Sequence, residues 1–248
     1  MQLSVIIPAY NEESTIQSTV IAVADYLRAF VPDSEIIVVD DGSTDETKSI
    51  IRSLSLEIPL GSIVHITNKG KGAAVHTGMK AAKGERILFV DADMSTDIKQ
   101  YDALARALDD DADIAIGSRY LRESHIAVQQ PWFRVMIGRI ANSIIRLVFL
   151  PGIYDTQCGF KAFKREAALA LADLQTMDGW SFDMELLVLA RRLGYRIIEI
   201  PIVWQNSNRV SRFRSIHDAG KTLGDMVRIW YRLATHSYQG LDSRKKIR

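Results

Sequence analysis

Three groups of acidic and polar residues in this sequence have the types and spacing to do chemistry. Pro8-Ala9-Tyr10-Asn11-Glu12 follows one apolar run, Asp40-Asp41-Gly42-Ser43-Thr44-Asp45 follows a second, and Asp91-Ala92-Asp93 follows a third. Adjacent carboxylates repel one another, so such groups need a cation or hydrogen-bond donors beside them. Helix capping alone accounts for one group more easily than for three. Asp91-x-Asp93 is the most informative. On an extended chain, alternation puts both carboxylates on one side. There they suit Mg2+ or Mn2+, which prefer oxygen ligands and keep part of their shell for phosphates. A lone D-x-D is a weak signal, but directly after the apolar run RILFV it gains weight. Asn68-Lys69-Gly70-Lys71-Gly72 precedes a helical pattern without Walker spacing, and no GxGxxG is present. It is able to bring helix N–H groups or a lysine to a phosphate.

The elements that position these groups alternate. Leu3–Pro8 and Glu35–Asp40 are continuous β-branched runs, as expected for strands buried on both faces. Between them Ile16, Val20, Val23, Ala24 and Leu27 recur at helical spacing, with Asn11 as N-cap. Ser43 to Glu46 fits a capping box before a helix whose apolar face is Thr47, Ile50, Ile51 and Leu54. Further strands are expected over residues 62–67, 86–90 and 112–117, with helices over 73–83 and around Tyr101 to Leu108. Repeated strand–helix–strand units imply right-handed crossovers and a mostly parallel, Rossmann-like α/β sheet flanked by helices. In such a sheet ligands bind beyond the carboxyl ends of the strands, where the three groups fall. Past Gly117 the regularity breaks. A helical stretch from Pro131 to Leu150, helices over 165–174 and 183–193, a strand over 195–204, a basic loop over 205–214 and a helix from Ser215 to about Ala234 are expected.

Composition bounds the classes of function. The 248 residues carry 31 Lys+Arg and 30 Asp+Glu, a net charge of +1, with 47% hydrophobic residues. This is ordinary globular usage and neither a nucleic-acid binder nor a disordered chain. The near-zero total conceals a split. Residues 1–118 hold 10 Lys+Arg and 19 Asp+Glu, a net of −9, and residues 119–248 hold 21 and 11, a net of +10. Such a chain can hold a cation in one half and anions in the other. The single cysteine, Cys158, excludes an internal disulfide and suits a reducing compartment. The five histidines show no metal-ligand spacing. No signal peptide or membrane-spanning run is expected from the pattern.

The segments SVIIPAYNEE, VVDDGSTDET, NKGKGAAVHTGM and LFVDAD together resemble family 2 glycosyltransferases of the GT-A fold. AIGSRY, DTQCGFKAF and GWSFDMELL resemble the members that glycosylate dolichyl or other polyprenyl phosphates, and WSFDMELL with EIPIVW the dolichyl-phosphate glucosyltransferase branch. The resemblance covers about residues 3–233. It implies one GT-A domain over residues 1–235: a nucleotide-sugar and metal half (1–118), an acceptor half (119–235) and then a basic tail (236–248).

The resemblance also implies roles. Pro8, Tyr10, Glu12 and Asp41 would hold base and ribose, with Lys71 and Gly72 near the nucleotide. Asp93 would bind Mg2+ or Mn2+ at the donor diphosphate, and Asp91 would hold the nucleotide or the metal. A third ligand position falls at Ser95, a weaker ligand. Arg119, Arg134, Lys161, Arg209, Arg212 and Arg214 would meet the acceptor phosphate and the donor diphosphate, with Arg119 pairing bidentately. Trp132, Met136, Ile140, Ile144, Val148 and Phe149 would cradle lipid or simply pack. Trp180 and Trp204 flank the sugar or belong to the core. Asp183 and Glu185 occupy the place of a catalytic base. A sugar hydroxyl needs such a base, whereas a phosphate acceptor is already anionic. Catalysis is then expected to involve Asp183, Arg119, Arg134 and Arg212. The implied reaction is direct displacement with inversion, moving a hexose from a UDP-glucose or GDP-mannose type donor to a polyprenyl phosphate. The expected setting is peripheral, on the cytoplasmic face of a membrane, with a membrane-protein partner possible and no nucleic acid. The alternatives are a saccharide hydroxyl acceptor in cell-wall or capsular polymer synthesis, or an inert nucleotide-sugar-binding protein, which the intact D-x-D argues against.

Overall fold

The structure, a computed structural model, describes residues 1–126, 149–205, 215–235, 237–238 and 241. Seven strands form the main sheet in the order β3-β2-β1-β4-β7-β5-β8. β1 (Leu3–Ala9), β2 (Ser34–Asp40), β3 (Leu60–Val64) and β4 (Arg86–Val90) run parallel, and β5 (Ile114–Ser118) pairs in parallel with β8 (Ile197–Pro201). β7 (Phe160–Lys164) lies antiparallel between β4 and β5. The acidic and basic halves therefore share one sheet. A two-stranded ribbon pairs β6 (His125–Ile126) with β9 (Val203–Trp204). Among the described residues no helix is long and apolar enough to cross a membrane.

Helices cover both faces, as the continuous apolar runs of β1, β2 and β4 require. On one face, α1 (Ile16–Phe30), α2 (Thr47–Leu54) and α4 (Tyr101–Asp109) pack on Leu3, Val5, Ile7, Val38 and Leu88. On the other, α3 (Lys71–Ala81), α5 (Arg165–Leu174), α6 (Phe182–Leu193) and α7 (Ser215–Ala234) close over Ile6, Ile37, Val39, Phe89 and Phe163. Alternation along β7 sends Phe160 and Ala162 to the first face, and Lys161 and Phe163 to the second.

Several expectations need correction. β3 starts at Leu60 rather than Ser62, because Leu60 pairs with Ile36, and the strand ends at Val64 so that His65 turns inward. Asn11 does not cap α1. It has φ +53°, and its Oδ1 accepts from Thr44 N at 2.8 Å, while Thr15 takes the cap position. Ser43 and Glu46 form no capping box either. Ser43 Oγ accepts from Asn11 N, and Asp45 Oδ1 accepts from Thr47 N. The expected strand over 195–204 breaks at Ile202 into β8 and β9. The chain is not extended through Asp91-x-Asp93. It turns after Val90, with Met94 at φ +50°, so simple alternation does not set these side chains. The helix expected from Pro131 falls largely outside the described residues.

Candidate active site

The carboxyl ends of β1, β2 and β4 bring the first two acidic groups and the D-x-D to one edge of the sheet. The loops after β1 and β2 are laced together. Glu12 N donates to Thr47 Oγ1 at 2.6 Å, and Asn11 bonds Ser43 and Thr44 as above. Pro8 is buried within β1 opposite Val39, and Tyr10, half-buried, follows it at the strand mouth. Asp40 caps its own loop, its Oδ1 accepting from Ser43 N.

Asp41 organises the next loop. Its Oδ1 accepts from His65 Nδ1 at 2.6 Å and Lys69 N at 3.0 Å, and its Oδ2 from Asn68 Nδ2 at 2.9 Å and Gly70 N at 2.7 Å. His65 Nε2 meets Thr77 Oγ1 on α3. Four protein donors therefore already satisfy the carboxylate expected to read base or ribose. What it visibly does is hold residues 68–70 and, through them, the start of α3. That helix start is also closed. Ala73 N donates to Asp178 O, and a Cβ at Gly72 would fall 2.5 Å from Met177 O. The glycine at position 72 thus lets α3 pack against residues 177–182, and one of the helix N–H groups expected to be open to phosphate is already taken.

At the end of β4, Lys71 Nζ lies 2.6 Å from Asp91 Oδ1, with the Trp180 ring 5.2 Å away. Burial alone would lower the lysine's pKa, but Asp91, Asp183 and Asp93 together raise it. Asp93 Oδ1 accepts from Ser95 N at 3.0 Å and Ser95 Oγ at 2.7 Å. Ser95, at the expected third-ligand position, is buried and orients Asp93. A Cβ at residue 159 would sit 1.9 Å from Asp91 Oδ2, so Gly159 is what leaves that carboxylate its place. Among the described residues no group of three or more His, Cys, Asp or Glu is arranged around one ion position. Asp91 and Asp93 supply hard oxygen donors of the right kind for Mg2+ or Mn2+, but as a partial set that substrate phosphate oxygens would complete.

Behind this edge lies a second pair of charges. Lys161 is fully buried on β7, and its Nζ donates to Asp183 Oδ1 at 2.5 Å and to Cys158 O at 2.5 Å. Lys161 was expected to meet the acceptor phosphate. Instead it lies beneath the site with its charge committed to Asp183, because alternation along β7 puts it on the same face as Phe163, under α6. Burial raises the pKa of Asp183, opposed by Lys161 and Lys71. Glu185, fully buried, accepts from Thr176 N, Thr176 Oγ1, Met177 N and Tyr238 OH, which fixes the segment that packs on Gly72.

Arg119 was expected to grip a phosphate with its guanidinium fork. That fork holds Asp155 instead: Nε to Oδ2 at 2.7 Å and Nη2 to Oδ1 at 2.9 Å. Trp204 and Tyr120 lie against the guanidinium, 5.5 and 5.7 Å away. Trp204 is also bridged to Thr96, next to Ser95, so this cluster borders the D-x-D. Arg134, Arg209, Arg212 and Arg214 lie outside the described residues, as do Trp132, Met136, Ile140, Ile144 and Val148. Phe149 packs on the core.

The sequence reading missed His65, Asn68, Asp155 and Gly159. Asn68 stood in a noted motif, and Asp155 opens a quoted segment. His65 carried no local signal, because its role depends on the pairing of β3 with β2.

A sheet of this order, with acidic residues at the strand ends and a D-x-D after β4, defines the nucleotide-sugar transferase (GT-A) fold. Residues 4–171 match the model for Glycosyl transferase family 2, and the chain belongs to that family. It is 34% identical over 262 residues to the dolichyl-phosphate beta-glucosyltransferase of Drosophila melanogaster, covering 99% of this chain and 79% of that one. The human dolichyl-phosphate beta-glucosyltransferase is 33% identical, with 98% and 79% covered. Glycosyltransferase AglD of Haloferax volcanii is 34% identical over 94% of this chain, which spans only 38% of that protein's length. Among solved structures, glucosyl-3-phosphoglycerate synthase of Mycobacterium tuberculosis, in complex with Mn2+, UDP and glucosyl-3-phosphoglycerate, superposes with a TM-score of 0.67 at 22% identity, covering 92% of this chain and 79% of that one. S. aureus TarS in complex with UDP-GlcNAc gives 0.60 at 21% identity, covering 90% and 64%.

Proposed function

We propose that this chain transfers a hexose, glucose in preference to mannose, from a nucleotide sugar to a dolichyl or polyprenyl phosphate. The observation that carries this is the 34% identity to a dolichyl-phosphate beta-glucosyltransferase across 99% of the chain, acceptor half included. The site supports it. An acceptor phosphate oxygen attacks the anomeric carbon, the bond from that carbon to the donor β-phosphate oxygen breaks, and the nucleoside diphosphate leaves with the electron pair. Inversion turns an α-linked donor into a β-linked lipid phosphate. This acceptor needs no proton removed, which suits an Asp183 held by buried Lys161.

In this reading Pro8, Tyr10 and Glu12 line the base and ribose, and Asp41 shapes the loop that brings Lys71 to the diphosphate. Asp91 and Asp93 hold Mg2+ or Mn2+. When bound, the ion offsets charge on the departing diphosphate. Arg134, Arg209, Arg212 and Arg214 meet the acceptor phosphate, while Arg119 holds Asp155 in the cluster that borders the D-x-D.

The setting is a membrane surface, on its cytoplasmic face. On α7, Val227, Trp230 and Tyr231 are exposed by 60%, 58% and 60%, at the spacing of one helix face, with Arg228 and Arg232 among them. Aromatic residues beside arginines are the composition of a helix lying in a lipid interface. A donor and acceptor matrix tests the proposal: UDP-glucose and GDP-mannose against a short polyprenyl phosphate and a panel of saccharides, with Mg2+ or Mn2+. Label in the organic phase supports it; label confined to saccharides overturns it.

A further inference from the structure

Lys71 places a positive charge at the carboxylate that a divalent cation would use. Its ammonium contacts Asp91 Oδ1 at 2.6 Å, with the Trp180 ring alongside, and the side chain is 14% exposed. The neighbouring carboxylates have direct partners of their own: Asp183 is bonded to Lys161, and Asp93 Oδ1 accepts from Ser95. An ammonium and a divalent cation repel each other strongly at contact distance where water is scarce. Both cannot take the same oxygen of Asp91 at full strength.

We infer that Lys71 is a resident competitor of the divalent cation at Asp91. Without nucleotide the site therefore binds the ion weakly, and the ion binds tightly only together with a nucleoside diphosphate that draws the ammonium away. The inference rests on the reading of Asp91 and Asp93 as the metal ligands. An incoming diphosphate gives Lys71 a new anionic partner, which releases Asp91. Asp91 and the phosphate oxygens would then both be available to hold the ion. Metal and nucleotide become reciprocally coupled.

The test is Mn2+ binding, followed by the electron paramagnetic resonance of the free ion, with and without UDP or GDP. Lys71→Met removes the charge, Lys71→Arg keeps it, and Asp93→Ala removes a ligand. Lys71→Met is expected to bind Mn2+ at least tenfold more tightly than the parent without nucleotide, and to gain a larger rise in Tm from Mn2+. Lys71→Arg should stay weak, and Asp93→Ala should lose binding. Equal or weaker nucleotide-free binding by Lys71→Met, with Asp93→Ala still defective, overturns the competition alone. Intact Mn2+ binding in Asp93→Ala overturns the metal assignment and the competition with it. If Lys71→Met does not fold, Lys71→Gln is held to the same criterion.

Discussion

Lys161 and Asp183 form an ion pair at 2.5 Å, with the lysine fully enclosed beneath the sheet edge that carries Asp91 and Asp93. Removing one partner strands the other charge in a place without water. Lys161→Met is expected to cost about 3–5 kcal/mol of stability, the usual range for breaking a buried pair. Lys161→Met combined with Asp183→Leu should recover much of it. Urea unfolding of the two single variants and the double variant measures this. A Lys161→Met protein as stable as the parent would contradict the pairing.

Asp155 gives a pH signature. Burial alone would raise its pKa, but the charge and hydrogen bonds of Arg119 outweigh this and hold the carboxyl below the usual carboxylate range. A pKa that is lower in the folded state stabilises the protein above the unfolded value of ~3.9, and that contribution is lost as pH falls through the folded value. Asp155→Asn should therefore be less stable than the parent at pH 7, with the difference shrinking below about pH 4. Thermal unfolding across that range checks it, and a difference independent of pH would count against it.

Much of the donor edge was legible in the sequence, because its signals are local: an apolar run, then acidic or small polar residues, then a helical pattern. Asp91-x-Asp93 and the loop with Lys71 could be placed from the strand before and the helix after each. The acceptor half was less legible. FKAFK puts one lysine and one phenylalanine on each side of an extended chain, so it has no clean alternation, and nothing local says that β7 inserts between β4 and β5 and buries Lys161. Arg119 looked available because its partner Asp155 lies 36 positions away. The role of His65 depends likewise on the β2–β3 pairing.

Gly159 defines the room around the D-x-D. A Cβ there would fall 1.9 Å from Asp91 Oδ2 and cannot be absorbed without moving the carboxylate. Gly159→Ala should keep the fold but lower turnover by tenfold or more, about 1.4 kcal/mol in the barrier. Steady-state kinetics with a circular dichroism control reads this. Unchanged turnover would mean that the position of Asp91 does not matter.

Cys158 is nearly fully buried, and its thiol is pushed up to about 12, chiefly by burial. Thiolate is the reactive form, so the native protein should resist iodoacetamide at pH 8 and react once unfolded in urea. Rapid alkylation of the folded protein would contradict the enclosed position of the loop before β7.

The central claim is that the acceptor is a lipid phosphate that attacks without a base. Labelled UDP-glucose and GDP-mannose, offered in parallel with a polyprenyl phosphate and with the polyprenol of the same length, test it most directly. Label is expected to enter the organic phase with the phosphate and to stay aqueous with the alcohol. Equal transfer to the alcohol, or transfer only to an added saccharide, would contradict it.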